Sequence, residues 1–476
     1  MRCWIGMAMA AILFAGSAGT ARSFDLPTLQ GVTGAVTDDE SRLGRTFLRK
    51  LRADTPVLQD PVLQDYLENL GYRIAFGSGL SVPDLQVILI PDREINAFAV
   101  PGGVMGVNTG LFLYAESESE LAAVIAHEIA HITQRHYDRS REAQKNATWL
   151  YLGALLTSIA VASHSSGDGG LAIGATAQAA MIQQQLAYSR QQESEADRIG
   201  MQTLIQAGFD PNAMTVFFSR MDKEMHQVGA MPEFLMTHPI TRDRIAESAL
   251  RARNLPVPAH TDTLEYRLAR VRALSLMNPV STDLLNAYRK QAADAPEDPV
   301  SHLALLLACI RARQFAEARV EYGVLHRIAP DLLEVAIAGA DIELADRRPD
   351  TALTLLRNAL LTSPDSMPLR LYAANAATLA GKPELAVNWL DTLTRERPED
   401  PAVWQLMTEA RLQLKDPVNV LRSRAEWRFL DGQGDQAVRD LEEAARQSRD
   451  NYPVLARINA RLEQMRQRVR EDKDTH

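Results

Sequence analysis

The sequence predicts an α+β domain joined to an all-α array of paired helices. In the first half, two short strand-like stretches sit among longer stretches of helical periodicity, the segregation expected of α+β proteins. In the second half, Pro296, Pro330, Pro364 and Pro398 lie 34 residues apart, and Ala318, Ala352 and Ala386 keep the same interval. Between the halves, Leu255-Pro-Val-Pro-Ala-His260 has the composition of a linker. At 476 residues the chain is too long for one core, so two domains are expected. An apolar content of 46% with 23% charged residues belongs to a folded chain. The net charge of −9, with no basic block, argues against nucleic acid as a partner.

Residues 1–21 have the layout of a secretory signal peptide: Arg2, then an apolar run to Phe14, then small residues to Ala21. The apolar run is shorter than the roughly 20 residues of a membrane span, which favours cleavage after Ala18 or Ala21. Cys3 would leave with it, so Cys309 remains alone, no internal disulfide forms, and its apolar surroundings make it a core residue. A first domain follows over 24–257, with helices over Asp39–Leu51 and Val62–Phe76 and strands over Leu85–Ile90 and Gly103–Thr109. Helices resume at Ser117. Residues 258–278 read as a linker and connecting helix, and 279–476 as the array. A 34-residue period of helix pairs is the tetratricopeptide signature, with alanine allowing close helix approach and proline ending a helix. The repeat covers 279–447, and the register drifts after it, because Ala437 follows Ala386 by 51 residues. The last helices, ending near Met465, read as an atypical cap.

The chemistry-bearing residues begin in the run Leu121 to His131. It is apolar at helical spacing, and Ser117 with Glu120 forms a capping box at its start. Residues four apart share a helix face, so His127 and His131 offer two imidazoles to one ion. Glu128, about 100° round the axis, is placed to take a proton from water and return it to the leaving amine. Two histidines and a glutamate in an apolar helix are costly to bury without a metal or other partners. A catalytic zinc also needs a third protein ligand and an open fourth position. Glu193 and Asp197 are four apart in a second helical stretch and share a face, whereas Glu195 turns away. Glu193 is therefore assigned to the metal and Asp197 to a supporting contact with a ligating histidine.

Taken together, Asn96-Ala-Phe-Ala-Val-Pro-Gly-Gly103, Val107-Asn-Thr-Gly-Leu111, His127 to His131, Glu193 to Asp197, and Thr237-His238-Pro239 followed by Arg244 resemble the HtpX-like zinc metallopeptidases. The matching pieces span most of residues 90–250. That resemblance implies a gluzincin-type core, mostly helical with a small sheet, holding one zinc per subunit. It also implies that the first acid of Glu-x-x-x-Asp is the third ligand, in agreement with Glu193. Peptidases of this kind bind an extended substrate by adding it to a sheet edge beside the metal, which assigns substrate binding to Gly103, Val104, Met105, Gly106, Val107 and Asn108. Gly102 and Gly103 either allow close backbone approach or form a plain turn. The pattern places His238 and Arg244 near the cleft, as catalytic candidates. His238 would stabilise the oxyanion or occupy the open zinc position and silence the enzyme. Arg244 would bind substrate, orient its loop, or form a structural salt bridge.

The stretch 147–162 reads as a helix over the cleft, with a Gly/Ser-rich loop after it as a lid; peripheral membrane contact is the other reading. His164 in that loop is expected to face solvent, and His136 to lie off the ligand face. A signal peptide, this peptidase domain and tetratricopeptide repeats together resemble family members that act in the periplasm. The resemblance implies quality control of unfolded or misassembled outer-membrane proteins, with the repeats docking to the outer-membrane assembly machinery. With no disulfide available, the repeats would have to dock on the catalytic domain noncovalently. The rival reading is a chaperone or adaptor working through its repeats, with a largely latent metal site.

Overall fold

The computed structural model describes residues 37–79, 85–134, 153, 155–157, 190–228 and 233–474, all within the compact unit Gly34–His476. The expected signal peptide, His136, His164 and most of 147–162 lie outside the described residues. Of that last stretch, Leu155 is helical and buried against Phe47, Leu48 and Ile88.

Helix α1, Asp38–Asp54, starts at a capping box in which Thr37 accepts from the Glu40 amide and Glu40 from the Thr37 amide. Helix α2, Pro61–Ser78, has Asp60 as its N-cap, proline in its first turn and Gly79 at φ 73° to stop it. Strands β1 (Gln86–Ile90), β2 (Ala97–Val100) and β3 (Val104–Asn108) form a sheet in the order β1-β3-β2, with β1 parallel and β2 antiparallel to β3. Strand β2 is an addition to the sequence reading. Its four residues are too few for alternation to show, and all four are buried.

That order overturns the assignment of Gly103, Val104, Met105, Gly106, Val107 and Asn108 as an edge for substrate. β3 is the central strand, its ladder bonds are taken on both sides, and every residue of it is buried. Gly106 is glycine because the Phe98 ring covers it from the paired strand: a Cβ there would lie 2.1 Å from the ring. Gly102 and Gly103 serve both proposed roles. They turn the hairpin at φ 99° and 80°, and a Cβ on Gly102 would meet the Glu40 carbonyl at 2.2 Å.

After the short α3 (Gly110–Tyr114) comes α4, Glu118–Thr133, buried at every position except Ile132. Ser117 caps it by accepting from the Glu120 amide at 3.2 Å, but the Glu120 carboxylate reaches back to the Glu116 amide, so the expected box is only half closed. Around α4 pack α2, β2, α5 (Arg190–Gln206) and α6 (Asn212–Val228); α7 (Glu233–Thr237) and α8 (Arg242–Arg253) complete the domain.

The array contains six helix pairs: α9 (Leu264–Met277) with α10 (Thr282–Asp294), α11 (Pro299–Arg311) with α12 (Phe315–Ile328), α13 (Leu333–Ala345) with α14 (Pro349–Thr362), α15 (Met367–Leu379) with α16 (Pro383–Glu396), α17 (Pro401–Gln413) with α18 (Pro417–Leu430), and α19 (Gly434–Gln447) with α20 (Tyr452–Asp474). Four first helices begin 34 residues apart, at 299, 333, 367 and 401. The turn between partners repeats too: Arg313, Arg347, Gly381 and Lys415 all have positive φ, between 56° and 70°. Residues 258–278 are a shared core element as well as a connection. α9 is the first helix of the array, and it buries Tyr266, Ala269 and Ala273 in the peptidase core but Leu268 in the array core. The final helix runs past Met465 to Asp474.

Beyond the chain connection through α9, the array docks on the first domain through noncovalent contacts. Val62 of α2 is buried among Ile337, Ala340 and Met367 of the array. Arg397 grips Glu68 with two bonds of 2.7 and 2.8 Å, and Arg49 grips Asp472 in the same way. Arg272 of α9 joins Asp60 at 2.8 Å to Asp341 at 3.1 Å. Cys309 is fully buried, and burial pushes its thiol up to about 12, as befits a core residue. No helix among the described residues is long and apolar enough to cross a membrane.

Candidate metal centre

The site forms where α4 and α5 cross. Gly200 makes the crossing close: a Cβ on it would lie 3.3 Å from the His127 backbone nitrogen and 2.9 Å from the Met214 methyl. With the backbones that near, Glu193, two turns earlier on α5, reaches both histidines of α4. Its carboxylate is 3.5 Å from His127 Nε2 and 3.4 Å from His131 Nε2, and the two imidazole nitrogens are 3.1 Å apart. Among the described residues, His127, His131, Glu193 and His238 form one cluster whose ligand atoms all lie within 4.8 Å.

These distances fit a metal. Ligands about 2.0–2.1 Å from a tetrahedral centre are roughly 3.3–3.4 Å from one another. His238 completes the figure, its Nδ1 lying 3.4 Å from His127 Nε2 and 3.1 Å from Glu193 Oε1. The ring therefore stands at the fourth vertex, stacked on Phe234, with its Nε2 3.4 Å from Glu128. The charge count also fits. Glu128, Glu193 and Asp197 are buried, and Arg244 is the cation paired with two of them, which leaves two negative charges for a divalent ion. Glu128 Oε1 is buried without a hydrogen-bond partner among the described residues.

The supporting contacts explain the orientation of each ligand. Asp197 Oδ1 lies 3.1 Å from His127 Nδ1, an ion-pair distance that favours a proton on that nitrogen and leaves Nε2 turned to the cluster. Arg244 donates to both oxygens of Asp197 at 2.8 and 2.9 Å and to the Pro239 carbonyl at 2.7 Å, and lies 2.7 Å from Glu193. It lies over the Phe218 ring. Of the three readings for Arg244, the salt bridge and the loop contact both match: its donors are committed to Asp197, Glu193 and the Pro239 carbonyl, and it positions acids and a turn rather than facing substrate. Glu195 is half-buried outside the cluster.

Burial raises the Glu128 carboxyl above the usual range, with Glu193 adding to the effect and His238 and His127 opposing it. Glu193 and Asp197 go the other way. Burial would raise them, but for Glu193 the two histidines, and for Asp197 the His127 and Arg244 bonds, hold them below the ordinary value. Burial pulls the His127 imidazole down, but Asp197 and Glu193 outweigh it and raise it to about 9. The acids around His127 thus favour a positive charge at the cluster.

The sequence reading brought together every member of this cluster and missed its scaffolding: Gly200, Phe234 and Phe218. Gly200 alone carried a signal, since a glycine inside a helix seven residues after Glu193 marks a close crossing on that face.

The comparisons with known proteins agree with this geometry. The model of Peptidase family M48 matches residues 61–253, and that of the Tetratricopeptide repeat matches 343–410. A putative beta-barrel assembly-enhancing protease of Vibrio cholerae is 36% identical over 93% of this chain and 91% of its own length. The beta-barrel assembly-enhancing protease of Escherichia coli K12 is 33% identical over 95% and 93%. The mitochondrial metalloendopeptidase OMA1 of Schizosaccharomyces pombe is 34% identical over 38% of this chain and 50% of its own length. The chain is a metallopeptidase of family M48, and it belongs with the beta-barrel assembly-enhancing proteases, which it matches from the catalytic domain through the tetratricopeptide repeats.

Proposed function

We propose that this protein is a zinc-dependent periplasmic endopeptidase that acts in quality control of outer-membrane proteins, with a site kept closed at rest. The observation that carries the chemistry is the four-ligand cluster with two uncompensated negative charges. All-nitrogen-and-oxygen ligands at tetrahedral spacing suit zinc. His127, His131 and Glu193 would hold it, and it would supply a Lewis acid that polarises the scissile carbonyl and acidifies water. Glu128 takes the proton from the attacking water and hands it to the leaving amine; its raised proton affinity suits both steps. Asp197 and Arg244 keep His127 and Glu193 in place.

The substrate strand is reassigned to β2. Asn96 accepts from the Asn108 amide at 2.9 Å, so by alternation Ala97 and Ala99 turn their amides and carbonyls away from β3. Strand β2 packs against α4, which brings this edge to the helix that carries Glu128. His238 is only 3% exposed and fills the fourth position, so it has to leave before substrate enters. The apolar leader and the names of the full-length relatives support the periplasm and outer-membrane clients, and the repeats suit docking to an assembly machinery.

The test is metal analysis of the purified chain together with Glu128→Gln. One zinc per chain in both proteins, and casein cleavage lower by about two to four orders of magnitude in the variant, is the expected result. Absence of stoichiometric zinc refutes the metal assignment. The closed site favours one rival, a chaperone acting through its repeats. If Glu128→Gln rescues an outer-membrane assembly defect as fully as wild type, that rival is the main function.

A further inference from the structure

The two edges of the array carry opposite charge. Arg313, Arg347 and Lys415 hold the same position in three of four successive turns within helix pairs, with Gly381 in the fourth. Each of these turns joins the end of a first helix to the start of a second, so all four lie along one edge. The turns between pairs form the other edge and carry Glu297, Asp298, Asp331, Asp365, Glu399 and Asp400, with Arg397 as their one base. A chain of net charge −9 thus keeps a basic row on one side of its array. The bases are a repeat apart, so no basic block shows in the sequence.

Three observations separate this row from an ordinary solvated surface. The first is its backbone: at φ 58°, 59° and 56° a residue with a Cβ is disfavoured, and glycine, as at position 381, is the easier choice. A disfavoured conformation kept at exposed positions points to the side chains. The second is the pairing. Arg347 and Lys415 form no ion pair among the described residues, Arg313 lies only over the Phe315 ring, and Arg311 has only the Asn278 carbonyl. The acids of these turns are taken, Asp346 by Arg319 and Arg348, Asp350 by Lys382 and Asp416 by Arg411. Glu384, in the first turn of α16, is an acid without a cation among the described residues, against four bases without an acid. The third is apolar: Leu379, the last residue of α15, is 59% exposed, and Leu412, at the end of α17, is 65% exposed.

We propose that this edge of the array rests on an anionic phospholipid surface, with Arg313, Arg347 and Lys415 on the phosphates and Leu379 and Leu412 among the headgroups. Bases interleaved with exposed apolar side chains suit such an interface, since the charge draws the protein in and the apolar tips enter the boundary layer. A soluble polyanion would reward the bases alone. The acidic edge then faces away from the lipid, and the contact does not depend on the metal centre.

The experiment uses the chain from residue 22, so that the apolar leader adds no lipid binding, and flotation with vesicles of phosphatidylcholine alone or mixed with phosphatidylglycerol. The chain floats with the mixed vesicles and not with the neutral ones, and about 0.5 M salt releases it. Each base near such a surface is worth about fivefold in affinity, so the triple variant Arg313→Gly, Arg347→Gly, Lys415→Gly binds at least about tenfold more weakly. Glycine suits these turns, so the variant unfolds in urea no earlier than wild type and its loss of binding is not a loss of fold. Leu379→Gln with Leu412→Gln also weakens binding while its salt dependence remains. Equal binding to both kinds of vesicle overturns the proposal, as does full binding by the triple variant or no binding at millimolar lipid. Tighter binding of poly-glutamate than of the vesicles overturns it in favour of an acidic protein surface.

Discussion

Replacing Arg272 with methionine tests how the two domains are held together. The guanidinium bonds both oxygens of Asp60 at 2.8 and 2.9 Å and reaches Asp341 at 3.1 Å, so its removal leaves two acids without their cation. Breaking a buried ion pair from one side costs about 3–5 kcal/mol. Here the lower end applies. Asp60 keeps the Val62 and Leu63 amides, and the Asp341 side chain is 21% exposed and so partly hydrated. The expected loss is about 3 kcal/mol of unfolding free energy. Trp389, Trp404 and Trp427 all lie in the array, so urea unfolding followed by tryptophan fluorescence reads its release. The deficit also depends on pH. Burial already raises the Asp341 carboxyl, and losing Arg272 raises it further. An acid whose folded pKa exceeds its unfolded one costs stability as pH rises from the unfolded value through the folded one, so the deficit is larger at pH 8 than at pH 5. Adding Asp341→Asn to the variant recovers part of it. A loss below about 1 kcal/mol, or no recovery in the double variant, would show that the buried network does not hold the array in place.

Three further outcomes are expected. His238→Ala opens the fourth position and raises casein cleavage without lowering zinc content; unchanged or lower cleavage sinks the gate. Gly106→Ala forces the Phe98 ring off β3, since the added carbon would sit 2.1 Å from it, and costs about 1–3 kcal/mol in thermal or urea unfolding; a neutral effect would mean the ring moves freely. Arg347→Gly relieves an exposed residue at φ 59° and should raise stability by about 0.5–1 kcal/mol, the left-handed penalty less the flexibility glycine adds to the unfolded chain; destabilisation would contradict the turn assignment.

How much of the fold the residues revealed depended on the length of the pattern. The array repeats its prolines and alanines over more than a hundred residues, so its helices could be placed by period alone. Its first helix escaped because Leu264–Met277 also serves the catalytic core, and burial on two sides blurs the stripe that marks a repeat. The sheet was harder for a different reason. β3 was recognisable as a strand, but its neighbours depend on pairing between distant segments, and no feature of Val104–Asn108 tells a central strand from an edge.

The metal cluster was more legible because helices convert spacing directly into geometry. His127 and His131, and Glu193 and Asp197, are pairs four apart, and any helix puts each pair on one face. Spacing could not say that the two faces meet, which Gly200 arranges, nor that His238 would arrive as a fourth member of the cluster. That arrival changes the meaning of the site. Three ligands and an open position would describe a peptidase ready to act, whereas four ligands and a buried base, as we propose, describe one that must first be opened. His238 lies between α7 and α8, one bond from Pro239, whose carbonyl is held by Arg244, the same residue that orients Asp197 and Glu193. On the proposed reading, a movement that draws His238 away pulls against the residue that pairs with Glu193 and Asp197, which would couple opening of the gate to the metal site through Arg244. A partner that activates the enzyme has to shift the His238–Pro239 turn while leaving the Arg244–Asp197 pair closed.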